Sequence, residues 1–551
     1  MKAHKPSTLR RKTITAGSVV TAAAMVAILG QAGSAAQLSP RHSDTSSASA
    51  ATPGHTLVIA IPYDVETLDP DYSHYPLSNE VNYNTNDQYF VYGMTPTNKG
   101  YTEENTSVIH GQSIASWQEA ANGLSVVLNL RKNMRFCDGT PVTARDYLYY
   151  FNSGIKTKSG YLFNIDAAFI KSWKQLSPYS FKLTFSQPSP FFFDLFRDQS
   201  EAPINVALVN KHATKSDPYA TAWRAKHSAG SGPYCVTQWI PGTSMTLTAN
   251  PYYWKPRPYY TTVKLEVVPS SAERALLLKE GTVNFAYDLT LDEINSLRGA
   301  PGIKVLTIPS RDQYEVGLNN KIKPFNNVLV RQALSYAVPY KQIITGLFGG
   351  RALLPMGMMP DRGLMFDAKS WPYKYDPAKA KALLAKAGYR NGFSFTLDIT
   401  AGDAISKELA EVLKSSLSSL GVNMTINEET SAIFAQKLDN KTHQAWLEDV
   451  LWYVNDPAYV GNSFYACNAL LNWTNYCNPK VDALVAKMMT LWRPSQTAQK
   501  RALADQMQVL VNKDAPTLVL AEPDRQVAMS SNITGYVNAP DEENLYYYLK
   551  G

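Results

Sequence analysis

Segments of strand period and segments of helix period alternate along almost the whole chain, and this interleaving limits the fold more than any other feature. In "TLVIAIPYDVETLDP", Leu57, Ile59 and Ile61 alternate with less apolar neighbours until Asp69-Pro70 ends the strand. "LSVVLNLRK" alternates at Leu124, Val126, Leu128 and Leu130, and "SMTLTANPYYW" and "VKLEVVP" read the same way. Between the strands, "SAERALLLKEG" is a short helix closed by Gly281, and "NVLVRQALSYAV" sets Leu329, Ala333, Leu334 and Ala337 on one helical face. "YDPAKAKALLAKAGY" starts on Asp376 as cap with Pro377 at the first helical position, and stops at Gly388. "ISKELAEVLKSSLSSLG" is amphipathic, the strand "VNMTIN" follows it, Asn478-Pro479 opens a further helix, and "TLVLAEP" is a last core strand. No self-similarity appears at a period of roughly 20–50 residues, which excludes solenoids. The pattern predicts α/β domains with mixed sheets, and clefts between such domains are common ligand sites.

The chain has 551 residues, too many for one simple core, and its 45% apolar and 18% charged content is that of a globular protein. Thirty-three tyrosines and ten tryptophans suit a core, a wet interface or a ligand cleft. The net charge is +7, but Lys2, Lys5, Arg10, Arg11 and Lys12 sit in the first 36 residues with no acid among them. The remainder is nearly neutral, so no basic stripe is left to bind nucleic acid.

That basic start leads into "ITAGSVVTAAAMVAILGQAGSAA", with Ser34 and Ala36 at the spacing a signal peptidase accepts, so residues 1–36 are expected to be a signal peptide. Arg10-Arg11 fits a twin-Arg signal and an ordinary secretory start equally. The signal holds no Cys, so lipid anchoring at the cleavage site is not expected, and no other segment reads as membrane-spanning. Residues 37–55, rich in Ser, Ala, Thr and Pro, are expected to be a flexible tether. In an oxidising compartment Cys467 and Cys477, ten apart in an Asn-rich loop-like region, are expected to form a disulfide. Cys137 and Cys235 are expected as buried single cysteines rather than a pair.

The stretch "NMRFCDGTPVTARDYLYYF", Asn133 to Phe151, concentrates a thiol, carboxylates and threonines, which invites a catalytic reading. Each polar residue nevertheless has a structural task. Asp138-Gly139 makes a tight turn, Thr143 caps a helix, Asp146 completes a capping box, and Val142 and Tyr147 are placed for a hydrophobic staple.

The same stretch, extended to "ASWQEAANGLSVVLNLRKNMRFCDGTPVTARDYLYYF", resembles the signature block of the family 5 solute-binding proteins of bacterial ABC importers. The family pattern is matched at Ala115, Trp117, Leu130, Arg131, Phe136, Asp138, Gly139, Thr140, Pro141, Val142, Thr143, Ala144 and Asp146. "TLDP" (Thr67 to Pro70), "GSGPY" (Gly230 to Tyr234), "NPYYW" (Asn250 to Trp254) and "LNNKIKPFNNVLVRQALSYAV" (Leu318 to Val338) resemble later family elements. In the last of these Asn327 stands in place of the usual Asp and Leu329 in place of an Arg. "NDPAYV" and "NYCNPKVDALV" extend the likeness toward the far end.

The resemblance implies a two-lobed, periplasmic-binding-protein-like fold of the larger three-domain variety. Residues 56–95, 200–308 and 517–551 would form a discontinuous main domain, 96–199 an insert carrying the signature, and 309–516 the second lobe. Chain crossings near Pro309–Tyr314 and Ala515–Pro523 would be the hinge. A solute, peptide or peptide-like, would be held between the lobes and delivered to an ABC transporter permease, the binding protein acting as a monomer outside the cell or in the cell envelope. No cofactor, no metal and no catalytic residue is implied. Ligand contacts are expected from Ser73, His74 and Tyr75, from the backbone of Gly230, Ser231 and Gly232, from Tyr314, and from "LEDVLWYVNDPAYV". Peptide binders of the family hold an Asp just before the D-P element to pair with the peptide's ammonium. Here Tyr453 stands at that place, after Trp452, and a neutral ring supplies no ion pair, although Asp449 or Asp456 could from a shifted position. Adjacent rings at Trp452 and Tyr453 would instead suit a sugar, a heterocycle or a blocked peptide. An oligosaccharide binder, a metal-chelate binder using His74, and a secreted hydrolase therefore remain as alternatives. Against the last, no G-x-S-x-G, H-E-x-x-H or clustered metal-ligating histidines are present.

Overall fold

The computed structural model describes residues 55–73, 76–159, 165–197, 202–360, 363–451, 454–469, 471–539 and 544–551. Two mixed sheets organise the chain. The first has seven strands in the order Ile303–Ile308, Arg525–Ser530, Phe285–Ala286, His55–Ile61, Tyr260–Val267, Ser244–Ala249, Tyr234–Ile240. His55–Ile61 runs parallel to both of its neighbours, and the other pairs are antiparallel. The second has six strands in the order Ala352–Leu353, Thr517–Pro523, Gln313–Leu318, Ala445–Val450, Ser394–Thr400, Asn423–Glu429. Helices Val328–Ala337, Pro377–Lys386 and Ala404–Ser418 lie against it, and their apolar faces share one core with its strands.

One two-stranded ribbon joins the sheets. In the first sheet Ile308 lies opposite Arg525, and beyond the crossing the same two segments pair again, with Tyr314 opposite Ala521. The chain thus passes between sheets at 309–312 and at Asp524, side by side. The first crossing lies between strands Ile303–Ile308 and Gln313–Leu318. The second differs: Thr517–Pro523 belongs to the second sheet, not to the main domain. This strand is buried on both faces. A continuous apolar run fits either sheet interior, so only its pairing decides where it goes.

The capping signals read from sequence are realised. Asp376 accepts from the Lys379 N–H at 2.9 Å with Pro377 at the first position, and Asn478 accepts from the Lys480 N–H at 3.0 Å. Asn327 caps its helix through the Leu329 N–H at 3.0 Å, so the amide does locally what an aspartate would. In the signature stretch, Asp138 accepts from the N–H and hydroxyl of Thr140, and Gly139 takes φ +82°, the left-handed turn that glycine allows. Asp146 accepts from the Thr143 N–H at 2.8 Å and hydroxyl at 2.7 Å. Val142 and Tyr147 are both buried in the same core.

That core belongs to the insert, a four-stranded antiparallel sheet ordered Ile114–Glu119, Ser125–Leu130, Ser180–Phe185, Ile170–Ser177 and covered by helix Ala144–Thr157. Its aromatic centre, with Tyr89, Phe90, Phe181, Phe192 and Phe196, continues into Tyr459, Val485 and Met507 on the second-sheet side. Cys137 and Cys235 form a disulfide, contrary to their expected role as single cysteines. It ties the signature turn to the edge strand Tyr234–Ile240. The pair is 98 residues apart, so no local spacing announces it. Cys467 and Cys477 are also joined.

In the second sheet Gly317 lies opposite Trp446, whose indole covers it. A Cβ on Gly317 would lie 2.2 Å from the indole ring, which is held in place by the Trp446 Nε1–Glu448 hydrogen bond of 2.6 Å. Gly317→Ala is therefore expected to destabilise the protein by about 1–3 kcal/mol through overpacking. Urea unfolding measures this, and a change within about 0.5 kcal/mol would mean that the indole moves aside freely.

Candidate functional site

A cavity of about 400 Å³ lies between the two sheets, beside the ribbon that joins them. From the first sheet's side come Tyr63, Asp71, Ser73, Glu80, Tyr287 and Asp288. The second contributes Tyr314, Asp403, Phe434, Glu448, Asp449 and Trp473. Phe348 stands 6.0 Å from Tyr314, ring to ring, and Phe464 meets Trp473 edge-on at 6.3 Å, so much of the second wall is aromatic. At the rim, Phe191 of the insert meets Tyr459 at 6.0 Å and carries the Lys500 ammonium over its ring.

Glu80 anchors the first wall. It sits on helix Pro76–Thr85, which offers no apolar stripe because it is buried almost all round. Its carboxylate accepts from the Tyr287 hydroxyl at 2.6 Å, the Asn544 side-chain amide at 2.7 Å and the Tyr546 hydroxyl. Burial pushes its pKa up, and these donors pull it back. Three distant segments are so fixed to one another at the cavity edge. Next to it, Asp71 and Asp69 share the buried Arg224 guanidinium at 3.5 and 3.0 Å. Burial raises both acids, and Arg224 opposes the rise.

The second wall carries acids in less saturated surroundings. Asp403 caps helix Ala404–Ser418 through the Ser406 N–H at 2.9 Å, yet its pKa is pushed up to about 6 by burial and by Asp288 across the cavity. Glu448 is pushed up to about 8 by burial, reinforced by Asp449 and Glu315 and opposed by the Trp446 indole N–H. Tyr314 is held well above its ordinary pKa by burial and by the charges of Asp449, Asp403, Asp312 and Asp288.

The residues expected from sequence are placed unevenly. Tyr314, Ser73 and Asp449 line the cavity. His74, Tyr75, Trp452 and Tyr453 lie outside the described residues; their neighbours Ser73, Pro76, Val450 and Leu451 are on the wall. Ser231 and Gly232 are elsewhere. The Gly232 N–H donates to the Thr85 carbonyl at 2.9 Å, and a Cβ there would lie 2.5 Å from the Asn86 nitrogen. The glycine permits close approach to the end of helix Pro76–Thr85, and Ser231 is buried beside it. Asp456 is likewise structural, capping Pro457–Val460 through the Ala458 N–H at 2.8 Å and pairing with Lys500. Glu80, Asp288, Asp403, Asn544, Arg351 and Arg525, all on the wall, are not legible in the sequence. Asp403 could have been found as a cap before "AISKELAEVL"; the others carry no local signal.

Among the described residues, one cluster has the composition of a metal site: Asp398, Glu429 and His443. The Lys437 ammonium already bonds Glu429 and stands 3.5 Å from Asp398, where a cation would sit. Both His443 nitrogens are engaged, with Asp398 at 2.7 Å and the Phe434 carbonyl at 3.1 Å. The cluster is an internal ion-paired network at the sheet edge. No described helix is long and apolar enough to cross a membrane.

Comparison with known proteins adds the family. The family described as bacterial extracellular solute-binding proteins, family 5, middle, matches residues 108–472. A relative from Escherichia coli K12, the probable D,D-dipeptide-binding periplasmic protein DdpA, is 28% identical over 505 residues, covering 91% of this chain and 94% of its own. Among solved structures, the ABC transporter-associated periplasmic binding protein DppA from Helicobacter pylori, in complex with the peptide STSA, superposes with a TM-score of 0.81 at 23% identity, covering 90% of this chain and 98% of its own. MoaA from A. tumefaciens R10, in complex with mannopinic acid, gives a TM-score of 0.81 at 20% identity, covering 90% and 99%. At these identities the superpositions bear on the fold alone.

Glu448 generates a pH prediction. Its folded pKa of about 8 exceeds the ordinary 4.5, so the fold favours the protonated acid. Its stabilising contribution is full below the ordinary value and is lost as pH rises through about 8. In solute-free protein, Glu448→Gln should therefore lose less thermal stability than the parent between about pH 5 and 8.5. Parallel pH profiles of Tm would contradict the assignment.

Proposed function

This chain belongs to the bacterial extracellular solute-binding proteins of family 5, and from that premise we propose that it captures a peptide or peptide-like solute and presents it to the permease of an ABC importer. The observation that carries the reading is the cavity between two sheets whose strands are connected by paired, adjacent crossings at 309–312 and Asp524. A cleft so connected can open and shut by a hinge movement at a few residues. Its volume falls in the range of small-ligand sites, about 300–1,000 Å³. Closure would shield the solute between the aromatic second wall and the Glu80–Tyr287–Asn544 wall, and the permease would read the closed form.

The peptide reading is favoured over the sugar reading by Asp449. It stands on the cavity wall four residues before Tyr453, and so offers a carboxylate for a peptide's ammonium although the usual position holds a ring. Residues 1–36 would direct export and 37–55 would tether the folded part, which would act as a monomer. Family members are solute-binding proteins, and the polar groups at the cavity fit recognition: Glu80 is held by hydroxyl and amide donors, Asp71 pairs with Arg224, and Asp403 caps a helix.

Releasing and identifying by mass spectrometry whatever co-purifies with the protein tests the proposal. A peptide or modified peptide is expected, and returning it at about 100 times its Kd should stabilise the stripped protein by about 2.7 kcal/mol. An oligosaccharide, or a released solute that is chemically turned over by the protein, would sink the reading. Asp449→Ala should weaken binding by at least about tenfold, the loss of roughly one charge-assisted contact.

A further inference from the structure

Two glutamates face each other across neighbouring strands of the second sheet. Glu315 lies opposite Glu448 in the antiparallel pair Gln313–Leu318 and Ala445–Val450, so both side chains leave the same face. Residues paired in this way hold their Cβ atoms about 4.5–5.5 Å apart, and like charges so placed oppose each other. Glu315 is 4% exposed, and its Oε1 has no hydrogen-bond partner among the described residues. Glu448 is half-buried and lines the cavity. Neither makes an ion pair among the described residues.

The groups that act on the pair are acids, hydroxyls and one indole. Asp449 follows Glu448 on its own strand, with Tyr314 opposite Asp449. Glu522, on Thr517–Pro523, and the hydroxyls of Thr517 and Tyr465 act with Glu315. From helix Ser431–Asp439, Asp439 shares the cavity wall, and the Lys437 ammonium is spent on Glu429 and Asp398. The wall's arginines, Arg351 and Arg525, are not among the charges that act on either glutamate. Burial therefore raises both acids with no cation to oppose it, Glu315 to about 7 and Glu448 to about 8. Glu448 Oε1 accepts from Trp446 Nε1 at 2.6 Å, the one side-chain hydrogen bond it makes among the described residues. The proton then belongs on Oε2, which makes this acid a hydrogen-bond donor at neutral pH.

We infer that Glu448 recognises the solute as a protonated carboxylic acid, its Oε2–H donating to an uncharged carbonyl oxygen such as that of a peptide amide. The inference rests on the cavity being the peptide site. It goes further in naming the group on the second wall that selects for a neutral acceptor: an anionic one would meet Asp449 and Asp439 on the same wall. Glu315 is not on the wall and acts as a positioning residue, its carboxyl keeping the proton on Glu448 from the opposite strand. Above about pH 8 Glu448 ionises, an acceptor then faces an acceptor, and affinity falls as pH rises.

Calorimetric titration of stripped protein with dialanine, trialanine and tetraalanine, between about pH 6.5 and 9, tests this in the parent and in Glu448→Gln. These peptides titrate only at their termini, and the ratio of parent to variant cancels that change. For whichever peptide binds, Glu448→Gln, an amide that donates at every pH, should match the parent within about twofold at pH 6.5, and the parent should fall about tenfold behind it at pH 9. At about pH 8.5 the parent should take up more protons on binding than Glu448→Gln does. Glu315→Gln removes the facing charge and should move the parent's loss of affinity to lower pH. Glu448→Leu, which cannot donate, should bind at least about tenfold more weakly at pH 6.5. It strands the Trp446 N–H, so the comparison with Glu448→Gln decides if it fails to fold. A parent-to-Gln ratio that stays constant from pH 6.5 to 9, as when the proton is held between the two glutamates and not offered to the peptide, overturns the inference and leaves the peptide reading standing. Failure of all three peptides to bind removes the peptide reading and the inference with it.

Discussion

The antiparallel ribbon that passes from one sheet to the other is the constraint on which the rest of the structure depends. Ile303–Ile308 with Arg525–Ser530, then Gln313–Leu318 with Thr517–Pro523, are two stretches of one pairing interrupted by a few residues. At the break, buried Gln313 donates to buried Glu522 at 3.0 Å, and Asp524 donates its N–H to the Arg351 carbonyl at 2.7 Å. Because both connections are adjacent, each sheet can keep its own core while their relative angle changes at few bonds. The cavity lies next to this break, so small rotations there move its two walls against each other.

On this frame the two walls differ in kind. The first is fixed by the Glu80 carboxylate, which gathers Tyr287, Asn544 and Tyr546 from distant parts of the chain. A saturated buried network of this type is rigid, since removing one member strands the others. The second wall is richer in rings and in acids that are not saturated in this way, Asp403 and Glu448 among them. A rigid wall and a charged, aromatic wall facing it suit a site in which the second closes on a solute seated against the first.

What could be read from sequence follows the range of the interactions. Caps, turns and amphipathic faces are local, so Asn327, Asp376, Asn478 and the Asp138–Asp146 signature were legible, and the signature led to the family. The place of Thr517–Pro523 was not, because a strand apolar on both faces does not say which sheet receives it. The Cys137–Cys235 bond and the Glu80 network join segments 98 to 466 residues apart, beyond any periodic signal. Ser231 and Asp456 sit beside family motifs, and in the structure Ser231 is buried and Asp456 caps a helix and pairs with Lys500. The acidity of the cavity escaped for a related reason. Its carboxylates come from separate loops and strand ends, each unremarkable alone, and only the fold brings Asp288, Asp312, Asp403 and Asp449 around one tyrosine.

The most direct measurement of the account is the distance across the cleft with and without solute. The described cysteines are all in disulfides, so spin labels can be introduced at exposed Lys279 on the first sheet's side and Lys414 on the second's. Pulsed dipolar spectroscopy on stripped protein should give a broad or longer distribution that shortens and narrows when the co-purified solute is returned, while a label pair within one sheet stays unchanged. A single distribution that does not move on saturation would contradict closure about the ribbon.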